Sequence, residues 1–111
     1  MALEGIEKWR IEKWALENLE NFKDRMRIST TAEDENLKQM LLSSANALIR
    51  LTGARDFNDP TLVSLIFDRA RYEYNDALDE FAENYREEVN LLYIQHGLED
   101  EDDFKSETTQ K

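Results

Sequence analysis

Apolar residues recur every three or four positions along most of this chain, the period of a helix with one buried face. Between residues 3 and 26 the stripe is Ile11, Ala15, Leu19, Phe22 and Met26, which predicts a first helix over that span. The polar run ISTTAEDENL interrupts it. Thr30 stands three residues before Glu33, the spacing of a capping box, and acids crowd the turn that follows. A second helix is therefore expected to start near Thr31. It should bury Leu37, Met40, Leu41, Ala45, Leu48 and Leu51 and stop at Gly53, which accepts a left-handed C-cap. After a short loop, Asp59-Pro60 is a helix start: aspartate accepts from free N–H groups, and proline fits the first helical position.

From Pro60 the stripe runs through Leu62, Ile66, Ala70, Tyr74, Ala77, Phe81, Tyr85, Val89 and Leu92. Two readings stay open: one helix as far as Gly97, or two helices with a bend between Asp79 and Asn84. Beyond Gly97, LEDEDDFKSETTQK is acidic, polar and nearly without core residues, and is expected to be a disordered tail. The fold class that follows is all-α. Residues 1–97 form a single small bundle of three to four helices, the last long and in one reading bent, and residues 98–111 form an acidic flexible tail.

Composition narrows the function. The chain has 111 residues, enough for one modest core, and only three glycines and one proline to punctuate a many-stranded fold. It has no cysteine, which excludes disulfides and thiolate metal sites. No apolar run is long enough to span a membrane, and the N-terminus lacks the order of a signal peptide, so a soluble, cytoplasmically made protein is expected. Fourteen basic residues against twenty-five acidic ones give a net charge of −11. Such a surface repels phosphate backbones unless a local basic patch intervenes. Arg69 and Arg71 lie among Asp68, Glu73 and Asp76, which reads as a salt-bridged helix face.

Candidate chemistry is sparse. The single histidine, His96, sits at a helix end beside Gly97, where a cation complements the helix dipole. It lacks the Glu-x-x-His partners of a di-iron bundle. Glu17/Glu20, Glu73/Asp76 and Glu80/Glu83 have the one-turn spacing of a magnesium site in an all-α nucleotide pyrophosphohydrolase. Twenty-five acids in a helical chain also produce such pairs by chance. Tyr72 and Tyr74 point about 200° apart on a helix, so they form no single base-stacking platform. Tyr74 belongs to the core stripe; Tyr72 faces elsewhere and suits a subunit contact.

The N-terminal IEKWRIEKW, residues 6–14, repeats Ile-Glu-Lys-Trp with a period of five. Five residues turn a helix by roughly 500°, which sets Trp9 and Trp14 about 140° apart. Trp14 then borders the core stripe, while Ile6, Trp9 and Leu16 cluster on nearly the opposite side. Either that second patch meets a partner, or the first ten residues bend back onto their own domain.

Three stretches carry a family resemblance. LENFKDRMRIS (19–29), DENLKQMLLSSANALIRLTGA (34–54) and DPTLVSLIFDRARYEYNDALDEFAENYREEVNLL (59–92) resemble the helices of small head–tail connector (adaptor, head-completion) proteins of siphovirus-type tailed phages and prophages. RARYEYNDALDEF, within the last, is the most specific. Together they cover roughly two-thirds of the chain, and residues 1–18 extend beyond the matched part. The resemblance implies a non-catalytic, cofactor-free protomer of a homo-oligomeric ring, usually twelve-fold, beneath the portal protein. Such a ring extends the DNA channel, passes DNA without gripping it and receives a neck or tail-completion protein. The implied locations are the virion neck and, during assembly, the host cytoplasm, with no membrane partner. On this reading Ile6, Trp9, Leu16 and Tyr72 are candidate subunit or partner contacts. Tyr93, Ile94 and Leu98 are candidates for docking onto the portal. A non-viral helical adaptor or regulator binding a partner helix, and the magnesium-dependent hydrolase, stand as alternatives.

Overall fold

The loop at 53–59 lets two amphipathic helices fold face to face, and that hairpin is the centre of the molecule. It is described here from a computed structural model, in which the backbone is defined for residues 2–96 and the side chains for residues 8–96. Among the described residues there are six helices and no strand. They are α1 (Ala2–Glu17), α2 (Leu19–Met26), α3 (Asp34–Thr52), α4 (Pro60–Tyr74), α5 (Leu78–Asn84) and α6 (86–96).

α3 contributes Leu37, Leu41, Ala45 and Leu48 to the core, and α4 answers with Leu62, Ile66, Phe67 and Ala70. The turn between them is closed by side chains. Thr52 Oγ1 donates to the Leu48 carbonyl at 2.7 Å and accepts from the Ala54 amide at 3.2 Å. Gly53 takes φ 81°, the left-handed conformation expected of it. Asp59 Oδ1 accepts from the Thr61 amide at 2.9 Å with Pro60 in the first turn, so this helix start also forms as expected.

α1 and α2 lie against this hairpin through Ile11, Trp14, Ala15, Leu19 and Phe22. Trp14 stacks on Phe57 of the loop, with centroids 4.9 Å apart, and meets Phe67 at 5.7 Å. The expected helix over 3–26 is divided at Asn18, whose side-chain amide donates to the Trp14 carbonyl at 2.9 Å. The backbone bonds Asn18 N–H to Trp14 O and Phe22 N–H to Asn18 O, both 3.0 Å, carry on through the kink. At this point the Trp14 carbonyl accepts from both the side-chain amide and the backbone amide of Asn18, so two donors share one acceptor at the kink.

The expected capping box at Thr30 does not form. α3 starts at Asp34, and Glu33 at its N-cap turns its carboxylate outward to accept from the Tyr74 hydroxyl at 3.0 Å. Asp34 instead holds α2. Its Oδ1 lies 2.7 Å from Nζ of Lys23, which is 3% exposed, so the ammonium has left water for this carboxylate. The hydrogen bond to Asp34 holds the Lys23 ammonium above its ordinary range, against the opposing effect of burial. Leu51, expected to point inward, is 58% exposed because it falls on the edge of the α3 stripe.

The largest departure follows Tyr74. The chain does not bend between 79 and 84; it reverses at 75–77. Asp76 has φ 57°, its amide donates to the Glu73 carbonyl at 3.0 Å, and the Ala77 amide donates to the Tyr72 carbonyl at 2.8 Å. That pair of bonds is a Schellman closure with aspartate where glycine is usual. A slighter break occurs at Tyr85, across which the bonds from Tyr85 N–H to Phe81 O and Val89 N–H to Tyr85 O continue at 2.9 Å. The kink at Asn18, the reversal at Asp76 and the break at Tyr85 turn the expected three to four helices into six.

After the reversal, α6 runs back along α4. Tyr85 lies beside Asp68, just past the middle of α4, and His96 Nε2 lies 3.7 Å from Oδ2 of Asp59, the residue before its start. Desolvation, with the Asp68 carboxylate next, pushes the Tyr85 hydroxyl up to about 12. Tyr72, Phe81 and Tyr85 form one aromatic cluster, with Phe81 stacked on Tyr85 at 4.6 Å and Tyr72 edge-on to both.

Replacing Asp76 tests the reversal by the sign of the effect. In a left-handed position Asp76→Gly relieves a Cβ clash and should leave stability unchanged or raise it by up to about 1 kcal/mol. In a continuous helix the same change would lower stability by up to about 0.5 kcal/mol, because aspartate is already a poor helix former. Urea unfolding of the two proteins distinguishes them.

Candidate interaction surfaces

A helix buried on one side leaves its other residues to water, so large apolar side chains found there need a reason. Five are more than half exposed among the described residues: Trp9, Leu16, Leu51, Leu91 and Ile94. Trp9 and Leu16 share one region and Leu51 edges a second, while Leu91 and Ile94 lie on α6 outside both.

The first lies between α1 and α3. The five-residue repeat sends Trp14 inward, at 8% exposure, and leaves Trp9 outward at 61%. Trp9 and Leu16 line one depression of about 410 Å³, bordered by Lys38 and Leu42 of α3. Lys13 places its ammonium 5.2 Å from the Trp9 ring centroid, so the indole is shielded by a cation–π contact rather than by apolar packing. The side chain of Ile6, the third residue expected in this patch, lies outside the described residues. Tyr72 does not join it. The α4–α5 reversal holds that ring half-buried against Phe81 and Tyr85, and its hydroxyl accepts from Asn84 Nδ2 at 3.4 Å.

The second is a groove of about 810 Å³ between the C-terminal half of α3 and the α5–α6 arm. Leu48, Phe81 and Val89 form its floor, and Leu51 and Tyr93 lie along its edges. Three arginines border it. Arg69 is engaged, with Nη1 3.1 Å from Ser44 Oγ and 3.6 Å from Glu73 Oε1. Burial raises the Glu73 carboxyl above its usual range, partly offset by the Arg69 charge. Arg50 and Arg86 are exposed, and neither makes an ion pair among the described residues. Sequence reasoning missed this groove because it depends on the reversal at Asp76, which alone brings Phe81 and Val89 beside Leu48.

The residues considered for portal docking are divided. Tyr93 faces the groove, Ile94 is 56% exposed on the outer side of α6 with Leu91 one turn earlier, and Leu98 lies outside the described residues. His96 ends the described part of α6, where its ring faces the Asp59 carboxylate of the α4 N-cap. The acidic pairs do not converge: among the described residues no group of three or more His, Asp or Glu side chains is placed to hold a metal ion. No described helix is long and apolar enough to cross a membrane. No protein-family model, no curated protein and no solved structure matches the chain.

The two tryptophans should respond oppositely to truncation. Trp14→Ala removes a stacked, buried ring and should cost on the order of 3–5 kcal/mol in urea unfolding. Trp9→Ala gives up an exposed cation–π contact and should cost at most about 1 kcal/mol. Global unfolding of the Trp9 variant would show that this face is packed.

Proposed function

We propose that this protein is a structural head–tail connector of a tailed phage or prophage, assembling as a ring below the portal. The ring would extend the DNA channel and join the filled capsid to the neck or tail, with no catalytic step and no cofactor. The observation that carries this reading is the resemblance of RARYEYNDALDEF, residues 69–81, to the connector family. It gains physical support from the exposed apolar groups. A closed ring needs two different patches per protomer that fit each other. The Trp9/Leu16 depression and the α3/α5/α6 groove share no residue and use opposite halves of α3, the first with α1 and the second with α5 and α6.

Charge is consistent with the same role. A channel through which DNA slides should hold phosphates weakly, and a net charge of −11 disfavours phosphate contact. The portal-facing end would use Tyr93 and Ile94 of α6, together with Leu98. The protein would reside in the virion neck, and in the host cytoplasm while particles are built. A second reading, a non-viral adaptor that binds one amphipathic helix, draws on the groove, whose apolar floor and basic rim suit such a helix.

Deleting the gene from the phage or prophage that carries it tests the proposal. The expected outcome is DNA-filled heads that leak or fail to join tails, seen by electron microscopy. Tailed, infectious particles from the deletion would overturn it.

A further inference from the structure

The α3/α5/α6 groove combines an apolar floor with two arginines that make no ion pair among the described residues, in a chain where acids outnumber bases by twenty-five to fourteen. Its natural ligand is therefore an acidic segment carrying an apolar anchor. The sequence supplies one immediately after the helix that forms one wall. Residues 99–103 are five consecutive acids, Glu-Asp-Glu-Asp-Asp, followed by Phe104. We propose that the chain's own C-terminal segment docks in this groove, with the Phe104 ring on the Leu48, Phe81 and Val89 floor and the acids against Arg50 and Arg86.

The geometry permits it. Arg86, Val89 and Tyr93 recur along α6 at helical spacing and face the groove, so the wall they form is continuous. From residue 86 to residue 96 that wall is about 15 Å long. Phe104 is eight residues beyond His96, an extended reach of roughly 26 Å. A chain that turned back after α6 could thus follow the whole wall. A tethered segment also competes well, because a short linker gives an effective concentration in the mM range. Arg50 and Arg86 would then gain the carboxylate partners they lack among residues 8–96, and Phe104 would leave water. The docked tail would occupy the groove that the connector and adaptor readings also use, so a partner would have to displace it, and the docking is read out in the isolated chain whichever of them holds.

The absence of cysteine makes the test direct, because Ser106→Cys provides a single attachment point for a nitroxide. In dilute full-length 15N-labelled protein carrying the nitroxide, the amides of Leu51, Ala82 and Asn90 should lose most of their signal. The loss should disappear in an Arg50→Glu/Arg86→Glu variant and in a Phe104→Ser variant. The second variant leaves the described core untouched if the first fails to fold. Loss of signal spread evenly over the surface, or unchanged in both variants, overturns the proposal. So does loss seen only when nitroxide-bearing unlabelled protein is mixed with 15N-labelled protein, which would assign the groove to the tail of a second copy.

Discussion

The reversal at residues 75–77 is the constraint on which the rest of the architecture depends. Holding Asp76 in the left-handed region costs about 1–2 kcal/mol. In return, Phe81, Val89 and Leu92 leave water, each contributing on the order of 1.5–3 kcal/mol. Burial wins by a clear margin, so the chain folds back although no glycine marks the place. Everything distal follows: the Tyr72–Phe81–Tyr85 cluster, the antiparallel passage of α6 along α4, and the meeting of His96 with Asp59. The wide groove against α3 is also a product of this one turn, since its far wall would otherwise project into solvent.

A second group of interactions fixes how the helices sit against one another. Lys23 of α2 reaches Asp34 of α3, while Arg69 and Tyr74 of α4 reach Ser44 of α3 and Glu33 at its N-cap, so polar contacts tie both neighbours to α3. Ser44 is fully buried and Lys23 nearly so, and unpartnered groups there would be costly, so these pairings select one arrangement of an otherwise uniform apolar core. The acidic excess lies largely outside them, on the surface. The interior is thus specified by a few paired polar groups, while the net charge bears on what the surface repels.

What could be read in the sequence was whatever a single residue type carries by itself. Gly53 closing α3 and Asp59-Pro60 opening α4 were legible because each has one structural use at that place. The split between Trp14 and Trp9 followed from the five-residue period alone. The end of α2 at Met26 was legible from the polar run after it, whereas the reversal at Asp76 was hidden because the apolar period runs through it and only tertiary burial forces that residue left-handed. Leu51 was misplaced for a related reason: a residue at the edge of an apolar stripe is assigned by its neighbours in space, which the periodicity does not name. The Thr30 capping box failed because Glu33 has a competing partner in Tyr74, forty-one residues away. The groove was illegible because it joins α3 to residues more than thirty positions later.

The proposed ring requires one protomer to carry two unlike surfaces that close on each other. Native mass spectrometry over a rising concentration series tests it most directly. The account predicts monomer at low concentration and one closed oligomer of a single stoichiometry at high concentration, without an extending ladder of intermediates. A protein that stays monomeric into the millimolar range, or stops at a two-fold dimer, would contradict it.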